Sequence, residues 1–253
     1  MNKIVFITGA TSGIGEACAM KFADYNFNII ITGRRKDKLE NLADSIRKKY
    51  KVEVLPLCFD VRDRAAVKKC VKELPNEWKS IDVLINNAGL ASGLNPIQEG
   101  LYEDWDKMID TNVKGLLYMT RYLVPLMIAN EKGHIINIGS IAGREAYANG
   151  NVYCGTKAAV DSITRGMRMD LLQYGIRVSL VEPGAVETEF SEVRFKGDKE
   201  KAKNVYKGYE PLTGEDIADV VYFVSSVPSH VNISDVMVVP TAQASVSMLY
   251  KKL

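Results

Sequence analysis

Short apolar runs alternate along the whole chain with stretches in which apolar residues recur every three or four positions. The short runs predict strands, and they lie at residues 4–8, 28–32, 52–58, 81–85, 134–138, 177–181 and 236–239. The stretches between them predict helices, as where Leu39, Leu42 and Ile46 fall on one face. This alternation predicts a doubly wound α/β fold, a Rossmann fold with a parallel sheet of about seven strands and helices on both faces. We expect residues 1–253 to form a single domain.

Two stretches of the pattern give more specific expectations. The helical pattern from residue 102 to about residue 129 is long, so we expect a bend at Gly115 or Pro125. The polar segment at about 189–209 exceeds an ordinary connection in such a fold. Its length favours a lid over the active site, with a helix around residues 199–206. Further on, Thr213 followed by Asp216 predicts the start of another helix.

Composition excludes several classes of protein. Lys and Arg number 33 against 31 Asp and Glu, a net charge of +2, which disfavours nucleic acid or a membrane as the main partner. No signal-peptide pattern precedes the first strand, and no apolar run reaches the length of a membrane span. The four cysteines have neither metal-ligand spacing nor disulfide density, and His134 and His230 are isolated. We therefore expect a cytoplasmic protein that uses no metal in catalysis.

A glycine-rich turn, TGATSGIG, joins the first predicted strand to the first helix. It contains Gly9, Gly13 and Gly15. Backbone amides at a helix N-terminus can point at a pyrophosphate, and glycines let the ligand approach the backbone closely. Glycine also serves tight turns for steric reasons alone. Its position directly after the first strand nevertheless favours a nucleotide site.

The residues after the second strand indicate which nucleotide is bound. Folds that use NAD place an acidic residue there for the ribose 2′-hydroxyl, but this chain has Arg34 and Arg35. Guanidinium groups bind a phosphate bidentately. The alternative is a solvated start of a helix, although cations are disfavoured at a helix N-terminus. We therefore predict NADP as the cofactor.

Candidate chemistry is concentrated between residues 140 and 157. Tyr153 and Lys157 are four residues apart, so a helix places them on one face. A neighbouring ammonium lowers the pKa of a phenol, as a general acid or base requires. Ser140 follows the fifth strand, from where its hydroxyl could bind a substrate oxygen. Taken alone, the tyrosine and the lysine are also compatible with an ordinary pair on an amphipathic helix.

The ordered motifs resemble those of the short-chain dehydrogenases/reductases over essentially the whole chain. The motifs are TGATSGIG, Asp60, NNAG at 86–89, Asn112, Ser140 and the Tyr153/Lys157 pair. The resemblance implies that Ser140 binds the substrate oxygen, that Tyr153 transfers the proton and that Lys157 holds the nicotinamide ribose. It implies a role for Asn112 in a water-linked proton relay to Lys157. It also implies cofactor contacts at Gly9, Thr11, Ser12, Gly13, Ile14, Gly15, Arg34, Arg35, Asp60, Val61, Asn87, Ala88, Gly89, Tyr153, Lys157, Pro183, Gly184, Val186 and Thr188.

The resemblance further implies a homotetramer. Candidate interfaces are the apolar faces of the helices at 102–129 and 153–174, and the terminal run at 236–250.

The second half of the chain points to the substrate. EPGAVETEFSEVRFKGD is similar to the corresponding segment of NADP-dependent dehydrogenases that act on serine, allo-threonine and other 3-hydroxy acids. We therefore expect a small anionic hydroxy acid or its carbonyl counterpart as substrate. Its oxygen would contact Ser140 and Tyr153, and its anionic group Arg194 first or Arg144 second. The alternatives are a reductase of short sulfonate aldehydes, a ketoacyl- or sugar-reducing enzyme, and a non-catalytic NADP-binding sensor.

Overall fold

Seven parallel strands form one sheet in the computed structural model, which describes residues 2–252. The strands are β1 (Ile4–Ile7), β2 (Asn28–Gly33), β3 (Val54–Cys58), β4 (Ile81–Asn86), β5 (His134–Ile138), β6 (Arg177–Pro183) and β7 (Asp235–Val238). Their order across the sheet is β3-β2-β1-β4-β5-β6-β7. The strand order reverses at β1, where Ile7 pairs with Ile31 of β2 on one side and with Ile85 of β4 on the other. Ligands of open α/β sheets bind beyond the carboxyl ends of the strands at this reversal.

Nine α-helices connect and flank these strands within the described residues. They are α1 (Gly13–Asp24), α2 (Lys36–Lys49), α3 (Arg64–Lys72), α4 (Tyr102–Ile109), α5 (Leu116–Ala129), α6 (Asn151–Asp170), α7 (Phe190–Arg194), α8 (Lys199–Val205) and α9 (Gly214–Ser226). One core lies between the sheet and α1, α2 and α9, and it contains Phe22 and Ile46. The other lies between the opposite face and α3, α5 and α6, and it contains Met119 and Val160. The predicted doubly wound fold is therefore confirmed.

Local sequence signals account for several helix ends. The hydroxyl of Thr213 accepts a hydrogen bond from the Asp216 amide, while the Asp216 carboxylate accepts one from the Thr213 amide, so a capping box starts α9 as predicted. The long helical pattern before β5 is interrupted by a π-helical turn at Asp110–Gly115. The irregularity thus ends at Gly115, one of the two predicted positions, whereas Pro125 lies inside α5.

The segment at 189–209 contains α7 and α8, and α8 corresponds to the helix predicted near residue 199. The last residues of the chain return to this segment, because the Lys252 amide donates to the Gly208 carbonyl oxygen at 2.7 Å. Nearby, the Ala185 amide donates to the side-chain oxygen of Gln243 at 2.9 Å. The C-terminal residues therefore lie against the same end of the sheet as the 189–209 segment.

None of the helices in residues 2–252 combines the length and the apolar composition needed to cross a bilayer.

Candidate active site

A cavity of about 610 Å³ lies at the carboxyl ends of the central strands. Its lining includes Gly9 after β1, Asn87 after β4, Ser140 after β5 and Pro183 at the end of β6. The cavity extends from Arg35 at one end to residues of α6 and α7 at the other. Its volume falls within the range usual for binding sites of cofactors and other small molecules. The predicted cofactor and catalytic residues thus converge on one space.

The glycine-rich turn forms one wall of the cavity and brings backbone close to backbone. Gly9 has a φ of +68°, and a Cβ atom there would lie 2.8 Å from Cα of Ala88. Gly13, the first residue of α1, has a φ of +58°, and its Cβ would lie 2.9 Å from the Thr188 methyl group. The side chain of Ser12 does not cap α1. The first amides of α1 therefore remain available to an anion, as a bound pyrophosphate requires.

The two predicted arginines at the start of α2 have different partners. Arg34 lies 3.8 Å from a carboxylate oxygen of Asp60, and half of its side chain is exposed. Arg35 donates to the hydroxyls of Thr11 at 2.8 Å and Ser12 at 2.9 Å. Its third partner, Glu189, was not predicted and accepts a hydrogen bond of 2.6 Å. The cationic end of the cavity is therefore partly neutralised by a carboxylate from α7's N-terminal end.

Ser140 and Tyr153 occupy the opposite end of the cavity. The hydroxyl oxygen of Ser140 accepts from the Ala142 amide at 3.1 Å, which fixes the position of that oxygen. Tyr153 lies in the first turn of α6, and only 8% of its surface is exposed. Burial raises the pKa of Tyr153, while contact with the Ser140 hydroxyl acts in the opposite direction. A phenol in this environment is a proton donor that ionises only with help from its neighbours.

Lys157 was predicted to lie beside Tyr153 and lower its pKa, and the structure shows a backbone partner for its ammonium. Burial dominates and leaves the pKa of Tyr153 raised. Lys157 does lie one turn along α6, as its spacing requires, but its ammonium donates to the Ile138 carbonyl oxygen at 2.9 Å. Burial lowers the pKa of Lys157 to about 8. The carbonyl oxygen at the end of β5 thus holds the ammonium in place.

Lys157→Met is expected to remove a pH dependence of stability. The pKa of Lys157 is about 8 in the folded chain against an ordinary value of 10.5. Between these values the unfolded chain binds more protons, so the wild-type free energy of unfolding rises with pH relative to the variant. The expected relative rise is about 2 kcal/mol between roughly pH 7.5 and 9.5. Urea unfolding of both proteins across this range measures it. Lys36→Met, at an exposed lysine of α2, serves as the control, and a constant difference between wild type and Lys157→Met would contradict the assignment.

Asn112 lies in the π-helical turn and is buried. Its side-chain oxygen accepts from the Leu90 amide at 2.8 Å, and its amide group donates to the Leu90 carbonyl at 2.8 Å and to the Thr156 hydroxyl at 3.0 Å. These three bonds join α6 to the backbone that follows β4. Both hydrogens of the Asn112 amide group are thus used in structural hydrogen bonds.

Arg194 of α7 lines the cavity beside Tyr153. Its guanidinium carbon lies 5.6 Å from the centre of the Tyr153 ring. It also donates a hydrogen bond of 2.6 Å to the Tyr147 hydroxyl, whereas its buried Nε has no hydrogen-bond partner among the described residues. A half-buried guanidinium whose buried Nε is an unused donor is suited to an anionic group of a ligand.

Arg144, the second residue predicted to bind the substrate anion, does not lie beside Tyr153 and Arg194 in the cavity. Arg144 donates through Nε to both carboxylate oxygens of Glu182, at 2.8 and 2.7 Å, and also through a terminal nitrogen. Glu182 is 1% exposed, and Arg144 does not line the cavity. Its guanidinium neutralises a buried carboxylate at the end of β6, which leaves it unsuited to the substrate role given to it as second choice.

Sequence reasoning missed several side chains that line the cavity, namely Tyr147, Phe190, Tyr206, Gln243 and Leu249. The signal for Tyr147 was its place in the short segment that joins Ser140 to Tyr153. The others come from α7, the end of the 189–209 segment and the C-terminal residues, and they carry no motif. In residues 2–252, no three His, Cys, Asp or Glu side chains cluster as a metal site would require.

Comparison with known proteins places these features in a wider group. The sequence pattern of the short chain dehydrogenase family matches residues 3–199. An NADP-dependent 3-hydroxy acid dehydrogenase of Salmonella typhimurium is 49% identical over 242 residues, which are 95% of this chain and 96% of that protein. A protein of the same description from Schizosaccharomyces pombe is 45% identical over 252 residues, 99% of this chain and 97% of that one.

Solved structures give the same result. The closed form of a serine dehydrogenase complexed with NADP+ superposes with a TM-score of 0.91 at 45% identity, covering 99% of this chain and 100% of that one. A serine dehydrogenase from Escherichia coli superposes with a TM-score of 0.82 at 41% identity, covering 95% and 99%. The similarity therefore extends beyond the nucleotide-binding half to the residues around the substrate end of the cavity.

Proposed function

Since this chain belongs to the short-chain dehydrogenase family, we propose that it is an NADP-dependent oxidoreductase acting on small 3-hydroxy acids or their carbonyl counterparts. The observation that carries the proposal is the position of Arg194, whose guanidinium lies 5.6 Å from the ring of Tyr153. A cation so close to the proton-transferring group favours a short substrate in which an anionic group lies near the reacting carbon. Serine, allo-threonine and 3-hydroxypropionate are substrates of this kind.

The residues of the cavity fit NADP. The uncapped start of α1 and the close backbone approach at Gly9 and Gly13 suit a pyrophosphate. Arg34 and Arg35 supply cations for a 2′-phosphate, and Lys157 lies at the opposite end, where the nicotinamide ribose is expected. When bound, the nicotinamide supplies the hydride acceptor for oxidation or the donor for reduction.

The side chains at the substrate end of the cavity bind and orient the substrate and transfer its proton. Ser140 donates a hydrogen bond to the substrate oxygen, and Tyr153 accepts the carbinol proton in oxidation and returns it in reduction. Arg194 binds the carboxylate and thereby orients the reacting carbon. Phe190, whose ring centre lies 5.6 Å from that of Tyr153, limits the access of water to the phenol.

Arg194→Ala tests the proposal. A hydrogen bond to a charged group contributes about 1.5–3 kcal/mol, so we expect KM for serine or 3-hydroxypropionate to rise at least about tenfold. The KM of an uncharged alcohol of the same length should change little. Arg64→Ala, at an exposed position of α3, is the matched control.

A wild-type preference for the uncharged alcohol, or equal losses for both substrates in Arg194→Ala, would overturn the proposal. A sulfonate suits the same guanidinium, so a short sulfonate aldehyde belongs in the substrate panel as the alternative. Absence of turnover with every small carbonyl and alcohol would instead favour a non-catalytic NADP-binding sensor.

We also infer that residues 1–253 act as one domain in which the 189–209 segment is a lid. In support, the Gly93 amide donates to the Arg194 carbonyl oxygen at 3.0 Å, and Lys196 lies 2.8 Å from the Asp104 carboxylate. These two contacts join the segment around α7 to residues that follow β4 and to α4. Slower amide exchange of residues 189–209 in the presence of substrate would support the inference, and unchanged exchange would contradict it.

We propose a cytoplasmic homotetramer as the working form. Large apolar side chains are exposed near the predicted interfaces, including Met169 and Leu172 at the end of α6 and Met248 and Tyr250 near the C-terminus. These side chains are exposed in one chain and would be covered by association. Light scattering at micromolar concentration measures the assembly, and a monomer mass would contradict it.

A further inference from the structure

Arg35 has no unused donor nitrogen in this structure. Its Nε and one terminal nitrogen donate to Thr11, and the same terminal nitrogen donates to Ser12. The remaining terminal nitrogen donates to Glu189 at 2.6 Å. A phosphate that binds Arg35 through two parallel hydrogen bonds must therefore replace an existing partner.

Glu189 is the partner that a phosphate would replace. Its second carboxylate oxygen accepts a hydrogen bond of 2.5 Å from Lys38, one turn into α2. Partial burial raises the pKa of Glu189, but the bonds from Lys38 and Arg35 outweigh this and lower it to about 2. The carboxylate is thus ionised, and it pairs with two cations at the end of the cavity where the 2′-phosphate is expected.

A phosphate dianion and this carboxylate cannot share the two cations, because like charges at contact distance repel each other. The three side chains are 38–46% exposed, so a ligand can reach them. The neutral hydroxyls of Thr11 and Ser12 can stay beside a phosphate, because a hydroxyl can donate as well as accept.

We propose that Glu189 is an internal competitor of the 2′-phosphate for Arg35 and Lys38, and so helps to determine the selectivity between NADP and NAD. This rests on the proposed function only in taking NADP as the cofactor. A 2′-phosphate displaces the carboxylate, whereas a ribose with a free 2′-hydroxyl leaves it in place. Glu189 directly precedes α7. Its release therefore frees the N-terminal end of the helix that carries Phe190 and Arg194, and so links recognition of the 2′-phosphate to the substrate end of the cavity.

Binding of two nucleotide fragments to Glu189→Gln tests the competition without turnover. Adenosine 2′,5′-bisphosphate carries the 2′-phosphate, and adenosine 5′-monophosphate lacks it. Exposed ion pairs change an equilibrium constant by up to about fivefold, so we expect Kd for the bisphosphate to fall about fivefold in calorimetry. Kd for the monophosphate should not change. Glu192→Gln, at an exposed glutamate of α7, removes the same charge away from the two cations and should leave both constants unchanged.

A second comparison identifies the cations involved. When Arg35 and Lys38 are both replaced by alanine, Glu189→Gln should no longer raise the affinity for the bisphosphate. When Arg34 alone is replaced by alanine, Glu189→Gln should still raise it. Unchanged or weaker binding of the bisphosphate to Glu189→Gln would overturn the competition, as would an equal gain in Glu192→Gln or a gain that survives the loss of both Arg35 and Lys38. If the wild type binds the bisphosphate no more tightly than the monophosphate, the NADP assignment itself fails. That result differs from a failure confined to the role of Glu189.

Discussion

Replacement of Tyr153 by phenylalanine is expected to lower kcat by at least about 10²–10⁴-fold, the usual contribution of general acid–base catalysis. The variant keeps the aromatic ring, which packs 5.6 Å from the ring of Phe190, and loses only the hydroxyl. Binding of NADP should largely survive, because the glycine-rich turn and the arginines are unaffected. Steady-state turnover of serine and calorimetric titration of NADP measure the two quantities separately.

The pH dependence of the same reaction provides an independent readout. Oxidation needs the ionised phenol, and burial raises the pKa of Tyr153. The kcat/KM of oxidation should therefore rise with pH across the alkaline range, and this rise should be absent from any residual activity of Tyr153→Phe. Tyr174→Phe removes a hydroxyl from an exposed tyrosine just beyond α6 and should behave as the wild type. Near-normal turnover of Tyr153→Phe would refute the assignment of the proton-transferring group.

The strands and the principal motifs could be predicted because each depends on a short stretch of sequence. A buried parallel strand needs a continuous apolar run, and a phosphate-binding turn needs glycines between a strand and a helix. In a parallel sheet the motifs that follow the strands all lie at the same end of the sheet. For this reason Gly9, Asn87, Ser140 and Pro183 could be assigned to a common cavity, and the structure confirms that they line one.

The ion pairs could not be predicted, because they join residues that only the folded chain brings together. Arg35 and Glu189 are separated by 154 positions. In the sequence, Arg35 follows β2, and nothing near it indicates Glu189 as its partner. In the folded chain, the segment after β6 lies beside the end of β2, and its Glu189 carboxylate pairs with Arg35. The raised pKa of Tyr153 was not predicted, for a related reason. Helical spacing predicts which face Lys157 occupies but not that the Ile138 carbonyl oxygen lies within 2.9 Å of its ammonium.

The ion pair of Arg144 with Glu182 could not be predicted for the same reason, and we expect its loss to have the largest effect on stability. As a cation four residues after Ser140, Arg144 was a reasonable candidate for a substrate anion. β5 and β6 are neighbours in the sheet, however, so the loop after β5 passes over the end of β6. The carboxylate of Glu182, 1% exposed, is therefore within reach and takes the guanidinium. A buried carboxylate requires a partner more strongly than a solvated substrate does.

Arg144→Met is accordingly expected to lower the free energy of unfolding by about 3 kcal/mol, because it leaves the Glu182 carboxylate buried without its partner. For the fraction that remains folded, KM for the hydroxy acid should stay within about twofold of the wild type, since a side chain outside the cavity contributes no substrate binding. Urea unfolding and steady-state kinetics on the same preparation measure both quantities. Arg165→Met, which removes the exposed partner of Asp161 from a pair one turn apart on α6, is the matched control and should cost no more than about 0.5 kcal/mol.

Two further variants separate loss of the ion pair from loss of packing. Glu182→Leu should be tolerated better than Arg144→Met, because the Arg144 side chain is 42% exposed and its charge can be solvated. The double variant, Arg144→Met with Glu182→Leu, should recover most of the stability lost in Arg144→Met, since apolar residues of similar size can replace a buried ion pair at little cost. Additive losses in the double variant would mean that the pair contributes through packing alone. A selective rise in KM for the acid in Arg144→Met would restore Arg144 as a substrate ligand and require the guanidinium to leave Glu182 during turnover.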